Sequence, residues 1–231
     1  MKVFAISDLH LSTTEDKPME VFGGAWENYF EKIRESWLSQ VGEEDVVLIA
    51  GDISWAMTLE NALKDISCFA DLPGKKILIR GNHDYWWHSL SRIREALPEN
   101  VFVLQNDAMK IGNFVFTGTR GWSVEGTPGF SEEDKKLVNR ETERWKLCLR
   151  AANALKEEGD TIIALSHFPP FNVRRESSPF TDLFESNGVS KVVYGHLHGK
   201  DVRADLQVVK NGITYYLTSC DLVENRLIRI I

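Results

Sequence analysis

Six short runs dominated by Val, Ile and Leu recur along the chain: KVFAIS at 2–7, DVVLIA at 45–50, KKILIR at 75–80, FVFTG at 114–118, TIIALS at 161–166 and KVVYG at 191–195. Each is too short for an ordinary helix, and too continuously apolar for a sheet with one face in water. Each therefore reads as a strand covered on both sides. Helical patterns fill several of the intervals. Trp26, Phe30, Ile33 and Trp37 recur at helical spacing, as do Leu59, Leu63, Ile66 and Ala70 behind Thr58 as N-cap. A longer helix is expected from about Glu132 to Glu158, capped by Ser131. Toward the C-terminus the pattern changes. LQVVK and ITYYLTS flank Asn211-Gly212, the signature of a type I′ hairpin, and RLIRII offers a last strand. Strand–helix alternation followed by a hairpin implies an α/β (α+β) chain with mixed sheets, not a purely parallel doubly wound sheet.

The chain has 231 residues and no Pro/Gly/Ser-rich linker, so 1–231 reads as one domain. Its formal charge of −7 speaks against extensive nucleic-acid binding, which depends on Lys and Arg neutralising phosphates. Three widely separated cysteines, Cys68, Cys148 and Cys220, suggest neither a disulfide framework nor a zinc knuckle. The apolar run near the start is too short for a secretion signal, and no segment approaches the length of a membrane span. A cytoplasmic location without membrane contact is the expectation.

Five of the strands end in an unusual set of polar residues. KVFAIS runs into Asp8-Leu9-His10, DVVLIA into Gly51-Asp52, and KKILIR into Gly81-Asn82-His83-Asp84. TIIALS runs into His167, and KVVYG into His196-Leu197-His198. Five of the six histidines fall in these turns, at the strand ends where open α/β sheets build their sites. Taken singly, Asp8 and Asp52 could cap turns and His167 could be a hydrogen-bonded core histidine. Together they form a set of carboxylate, carboxamide and imidazole donors without cysteine. Such a set suits Mn, Fe, Zn, Ni or Co, and it is too large for one tetrahedral ion. Two divalent ions that share a carboxylate would clamp the attacking and leaving oxygens of an in-line displacement, which makes phosphate ester hydrolysis the natural reaction. Two dications against Asp8, Asp52 and one hydroxide would leave a centre of about +1, an anion-attracting spot in an acidic protein.

In order, DLH (8–10), GD (51–52), GNHD (81–84), H (167) and GHLH (195–198) resemble the motifs of the calcineurin-like metallophosphoesterase family. The resemblance implies a four-layer β-sandwich flanked by α-helices, with two metal ions at the strand ends. It further implies that Asp8, His10 and His198 hold one ion, that Asn82, His167 and His196 hold the other, and that Asp52 bridges. By the same resemblance His83 faces the scissile phosphate as acid or charge stabiliser, Asp84 orients it through a hydrogen bond, and a hydroxide between the ions attacks phosphorus.

The substrate expected is a small phosphomonoester or phosphodiester. A cyclic-nucleotide or nucleotide phosphodiesterase is the alternative, and a non-catalytic metal-binding scaffold stands behind both. GDISWAMTLE lacks the Arg that Ser/Thr protein phosphatases of the family carry after Gly-Asp. Substrate contacts are expected from the intervals 11–25, 119–131 and 169–186. Arg120, Arg174 and Arg175 are candidate anion ligands, and Trp55, Trp86, Trp87 and Trp122 are candidates for an aromatic wall, with plain packing the competing reading for the tryptophans. Oligomeric state is left open.

Overall fold

The computed structural model describes residues 1–231. In chain order the elements are β1 (Val3–Ile6), α1 (Tyr29–Gln40), β2 (Val46–Ile49), α2 (Leu59–Ala70), β3 (Lys75–Ile79), α3 (Leu90–Ala96), β4 (Val101–Leu104) and β5 (Asp107–Ile111). Then come β6 (Phe114–Thr119), α4 (Glu132–Leu155), β7 (Thr161–Ser166), α5 (Pro179–Ser186), β8 (Val189–Tyr194), β9 (Gln207–Lys210), β10 (Ile213–Leu217) and β11 (Ile228–Arg229). The strands form two mixed sheets, ordered β11-β1-β2-β3-β4 and β5-β6-β7-β8-β10-β9. In both, the inner strands are parallel; β11 is antiparallel to β1 at one edge of the first sheet, whose other edge strand β4 is parallel to β3, and in the second sheet both edges are antiparallel, β5 against β6 and β9 against β10.

Strand alternation produces the layering. Val3 and Ala5 of β1, Val46 and Leu48 of β2, and Ile77 and Ile79 of β3 meet Phe116, Ile163, Leu165 and Val193 of the second sheet in a core between the sheets. The intervening residues Phe4, Ile6, Val47, Ile49 and Leu78 face outward onto Ile33 and Trp37 of α1 and Ile66 and Phe69 of α2. On the far side Val115, Ile162, Ala164 and Val192 pack on Trp145 and Leu149 of α4 and Phe180 and Phe184 of α5. Helices, sheet, sheet, helices: this is the four-layer sandwich implied by the motifs, and it explains why the strands read as apolar on both faces.

Local signals account for most boundaries. Thr58 accepts from the Asn61 backbone N–H at 3.3 Å, and Ser131 with Asp134 forms a reciprocal capping box. Asn211 and Gly212 both have positive φ, 50° and 82°, as a type I′ turn requires. Several boundaries differ from expectation. Trp26 sits in a short 3₁₀ turn, and α1 starts only at Tyr29. The helix α4 ends at Leu155 because Lys156 is already extended. RLIRII contributes only the two residues of β11, while Ile230 drops into the core between the sheets. Four elements were not anticipated: β4, β5, α3 and α5.

Candidate metal centre

The parallel strands β1, β2, β3, β7 and β8 all point the same way, so their C-terminal ends share one edge of the sandwich. There the two sheets are laced together. The Ser7 N–H donates to Thr218 O, and the His196 N–H to both oxygens of Asp8, at 3.1 and 3.0 Å. The chain leaves each strand sharply: Asp8, His10, Asp52 and His196 have φ of 57°, 47°, 51° and 70°. Left-handed backbone costs a non-glycine residue roughly 1–2 kcal/mol, so the turns carry strain in order to aim these side chains inward. The neighbouring glycines are there because nothing else fits. A Cβ on Gly81 would lie 2.1 Å from Asp52 Oδ1, and one on Gly195 2.3 Å from Ser7 Oγ.

All seven ligand candidates converge. Donor atoms of Asp8, His10 and His198 lie within 4.8 Å of one another, as do those of Asp8, Asp52 and His167. Asn82 Oδ1 is 2.7 Å from His167 Nε2 and 2.9 Å from His196 Nδ1. Asp52 Oδ2 stands between the groups, 3.7 Å from His10 Nε2 and 3.4 Å from His167 Nε2. Asp8, Asp52 and His167 are fully buried and His10 nearly so, whereas His198 is exposed at the mouth. Both ring nitrogens of His10 and Asp52 Oδ2 are buried without a hydrogen-bond partner. Orphaned buried polar atoms are costly unless something binds them, and oxygen and imidazole donors together fit divalent ions.

The electrostatics agree. Burial drives His10 and His196 down to about 3, keeping both imidazoles neutral with lone pairs available. Against burial, which would raise it, His167 and then His10 hold the Asp52 carboxyl well below its usual range. His167 moves the other way: burial would lower it, but the Asp52 charge lifts it to about 9. Asp8 is raised, chiefly by burial, with His167 opposing. His167 Nδ1 lies 2.9 Å from Ala50 O, which fixes that nitrogen as a donor and leaves Nε2 to a metal once its proton departs.

The remaining candidates separate. His83 is half-buried beside the cluster, its ring 4.5 Å from Trp55 and 5.6 Å from His10, and its backbone N–H donates to Asp52 Oδ1 at 2.8 Å. Burial lowers its pKa. The bond expected from Asp84 to this imidazole is not formed. The buried Asp84 carboxylate instead accepts from the backbone N–H groups of Asp52, Ile53, Ser54 and Gly81 and from the Trp86 indole, at 2.7–3.2 Å. Asp84 thus braces the loop that carries Asp52, while burial and the Asp52 charge push it up to about 6. His83 Nδ1 has Tyr85 OH, at 3.4 Å, as its neighbour.

Of the tryptophans, Trp55 stacks on His10 at 4.9 Å, and Trp26, which the sequence placed only in a helix, contacts both His10 and His198. Trp86 and Trp87 are core residues. Trp122 packs on Phe168 and donates to Asp134 at 2.8 Å. Arg175, paired with Asp205, lines a cavity of about 730 Å³ that reaches His196. Arg174 is turned to Glu176 on the surface, and Arg120 lines a different cavity, away from the seven candidates. His88 is exposed. Ser7 went unnoticed in the sequence, where nothing marks it; its hydroxyl donates to Asp8 Oδ2 at 2.7 Å.

Residues 1–200 match the model of the calcineurin-like phosphoesterase family. The Gene 66 protein of Mycobacterium phage D29 is 40% identical over 204 residues, covering 88% of this chain and 82% of that protein. Among solved structures, the phosphopantetheinyl hydrolase of Mycobacterium tuberculosis shares the fold with a TM-score of 0.56 at 14% identity, over all of this chain and 95% of that one. A Thermus thermophilus protein does so with 0.56 at 11% identity, over 98% and 96%. The chain belongs to the calcineurin-like phosphoesterase family. It is a metal-dependent hydrolase acting on phosphate ester bonds, and the cluster of Asp8, His10, Asp52, His167 and His198 is its candidate metal site. None of its helices is long and apolar enough to cross a membrane.

Proposed function

We propose that the chain is a phosphohydrolase that works with two divalent ions on a small phosphomonoester or phosphodiester. The observation that carries this reading is the unpartnered Asp52 Oδ2, buried 3.7 Å from His10 Nε2 and 3.4 Å from His167 Nε2, between two groups of ligand atoms that have Asp8 in common. Asp8, His10 and His198 would hold one ion; Asn82, His167 and His196 the other; Asp52 would belong to both. When bound, such a pair activates water and neutralises charge at phosphorus. The protein's own part is positional. Ala50 O sets the His167 tautomer, Ser7 and the His196 N–H orient Asp8, and Asp84 holds the Asp52 loop. His83, its imidazole uncommitted to any carboxylate and partly open, donates a proton or a hydrogen bond to the leaving oxygen.

The leaving group has a place to go. The cavity beside His196 is walled by Phe171, Tyr194, Pro128 and Leu197, and is also lined by Arg203 and by Arg175 with its partner Asp205. A largely apolar recess with a few charged groups suits an organic alcohol better than a polymer, and it favours a nucleotide phosphodiester as the second reading. Mn, Fe, Zn, Ni and Co all suit the donor set. Three unpaired thiols, Cys68, Cys148 and Cys220, fit a reducing, cytoplasmic setting.

The test is reconstitution. Metal-stripped protein receives each ion in turn, and metal per chain is measured alongside hydrolysis of p-nitrophenyl phosphate and bis-p-nitrophenyl phosphate. Two ions per chain with metal-dependent turnover are expected, and Asp52→Asn should lower occupancy of both. Full activity with a single ion, or two tight ions in Asp52→Asn with undiminished turnover, would defeat the shared carboxylate.

A further inference from the structure

A second cluster of charge lies apart from the seven ligand candidates. Arg80 at the end of β3, Arg120 at the end of β6, and Arg140 and Arg144 one turn apart on α4 line a cavity of about 300 Å³, with Thr119 and Gln105 in its wall. One carboxylate answers these four cations. Buried Glu141 takes Arg144 at 2.6 Å and lies 3.8 Å from Arg140 Nε and 3.4 Å from the Thr119 hydroxyl. Arg80 and Arg120 have no acidic partner within ion-pair distance, and the Nε of each is buried without a hydrogen bond. Arg120 only covers the Trp122 ring, at 4.8 Å. A chain with a net charge of −7 therefore gathers a local excess of about +3 in one cavity.

Guanidinium groups left together without counter-ions repel one another, and buried donors left unmade cost free energy. A surplus of this kind is compensated when an oxyanion bridges it, because planar Arg forks match phosphate oxygens with paired, charge-assisted hydrogen bonds. The volume is at the low end for a ligand cavity, which limits the occupant to a compact anion. We propose that this cavity is a second, metal-independent anion site that takes a phosphate-class dianion between Arg80, Arg120 and Arg140. Its wall is tied to the first site through the backbone: the Arg120 carbonyl accepts from the His167 and Phe168 N–H groups, each at 3.0 Å.

The probe is inorganic phosphate, titrated by calorimetry and equilibrium dialysis into metal-loaded wild type and into Arg80→Gln/Arg140→Gln. Neither side chain has a hydrogen-bonded partner to orphan, and metal content and far-UV circular dichroism verify that the variant keeps fold and centre. The variant is expected to lose one equivalent of phosphate, or to bind it tenfold to a hundredfold more weakly, the range for removing charge-assisted hydrogen bonds. Arg140→Gln alone, a half-exposed change, gives the same direction if the pair fails to fold. Phosphate binding that is the same in wild type and variants, whether one equivalent or none, overturns the site, whatever the metal reconstitution shows.

Discussion

Gly81→Ala adds one methyl group and removes no chemistry, yet the structure makes it one of the most damaging small changes available near the centre. The new Cβ would lie 2.1 Å from Asp52 Oδ1 and 2.2 Å from Asp52 N, where real Cβ contacts are essentially never closer than 3.0 Å. One side must therefore move by about 0.9 Å. Neither side has slack. Asp52 N donates to Asp84 Oδ2 at 3.0 Å, Asp52 O accepts from His10 N at 2.9 Å, and Asp52 Oδ1 accepts from His83 N at 2.8 Å. On the other side the Gly81 N–H is held by Asp84 Oδ2 at 2.7 Å. The displacement therefore reaches Asp52, and with it His10 and His83.

Metal sites tolerate errors of about 0.2 Å in their ligand distances, and a misplacement of about 1 Å in a reacting group costs on the order of 10²-fold in rate. Overpacking adds about 1–3 kcal/mol of lost stability. Gly81→Ala should lose metal and fall about 100-fold in turnover of a chromogenic ester, with a lower urea midpoint. Gly24→Ala, whose Cβ would meet nothing within 4 Å, is the matched control and should be silent in all three measurements. Gly81→Ala that keeps full metal and near-native turnover would refute the claim that this glycine sets the position of Asp52.

His83→Ala should retain both ions yet slow hydrolysis by about 10²–10⁴-fold, because His83 borders the cluster without belonging to it; loss of metal would make it a ligand. Lys76 supplies a pH prediction away from the centre. Its side chain is buried, with Nζ donating to Ala70 O and Leu72 O at the end of α2, and burial lowers its pKa from 10.5 to about 8. Below pH 8 both folded and unfolded chains carry the proton and the penalty is present in full. As pH rises from about 8 to 10.5 the folded chain sheds it first, so stability rises, by at most about 3 kcal/mol. Urea midpoints at pH 7.5 and 10 should show that gain in wild type relative to Lys76→Met; a parallel pH dependence in the two proteins would count against it.

The site was legible because its chemistry sits at strand ends, and strand ends are marked twice: by the stop of a Val/Ile run and by the Asp, Asn or His that comes next. The same signal explains the failures. β5 is an edge strand with every residue half-buried, so DAMKI shows neither a continuous run nor clean alternation. The eight residues of α5 and seven of α3 are too short for a helical period to emerge. Asp84 comes directly after His83 in sequence, which suggests a pair, but four backbone N–H groups and an indole offer the buried carboxylate more than one imidazole could. Tryptophans near motifs look alike in a sequence: Trp55 faces the centre, while Trp86, thirty-one positions on, is core. Arg140 and Arg144 sit at helical spacing in the sequence, but nothing there joins them to Arg80 and Arg120, which reach the same cavity because β3 and β6 end at the same edge.

The position of the centre between the sheets has a consequence for what the metal does to the whole molecule. Asp8, His10, Asp52 and Asn82 are carried by the first sheet, and His167, His196 and His198 by the second. Ions held by both sets would cross-link the two halves of the sandwich at an edge where four of the candidate ligands, Asp8, His10, Asp52 and His196, are in left-handed conformation. That edge carries buried polar atoms on His10 and Asp52 with no hydrogen-bond partner, while hydrogen bonds from Ser7 to Thr218 and from His196 to Asp8 tie the sheets together there. Binding to the folded state alone stabilises by RT ln(1 + [L]/Kd), about 4 kcal/mol per ion at a thousandfold excess over Kd. Strain and unpaired polar atoms that would be defects in an ordinary core are therefore what this edge offers to divalent ions. The fold supports them because three apolar clusters, between and outside the sheets, hold the strands independently of the edge.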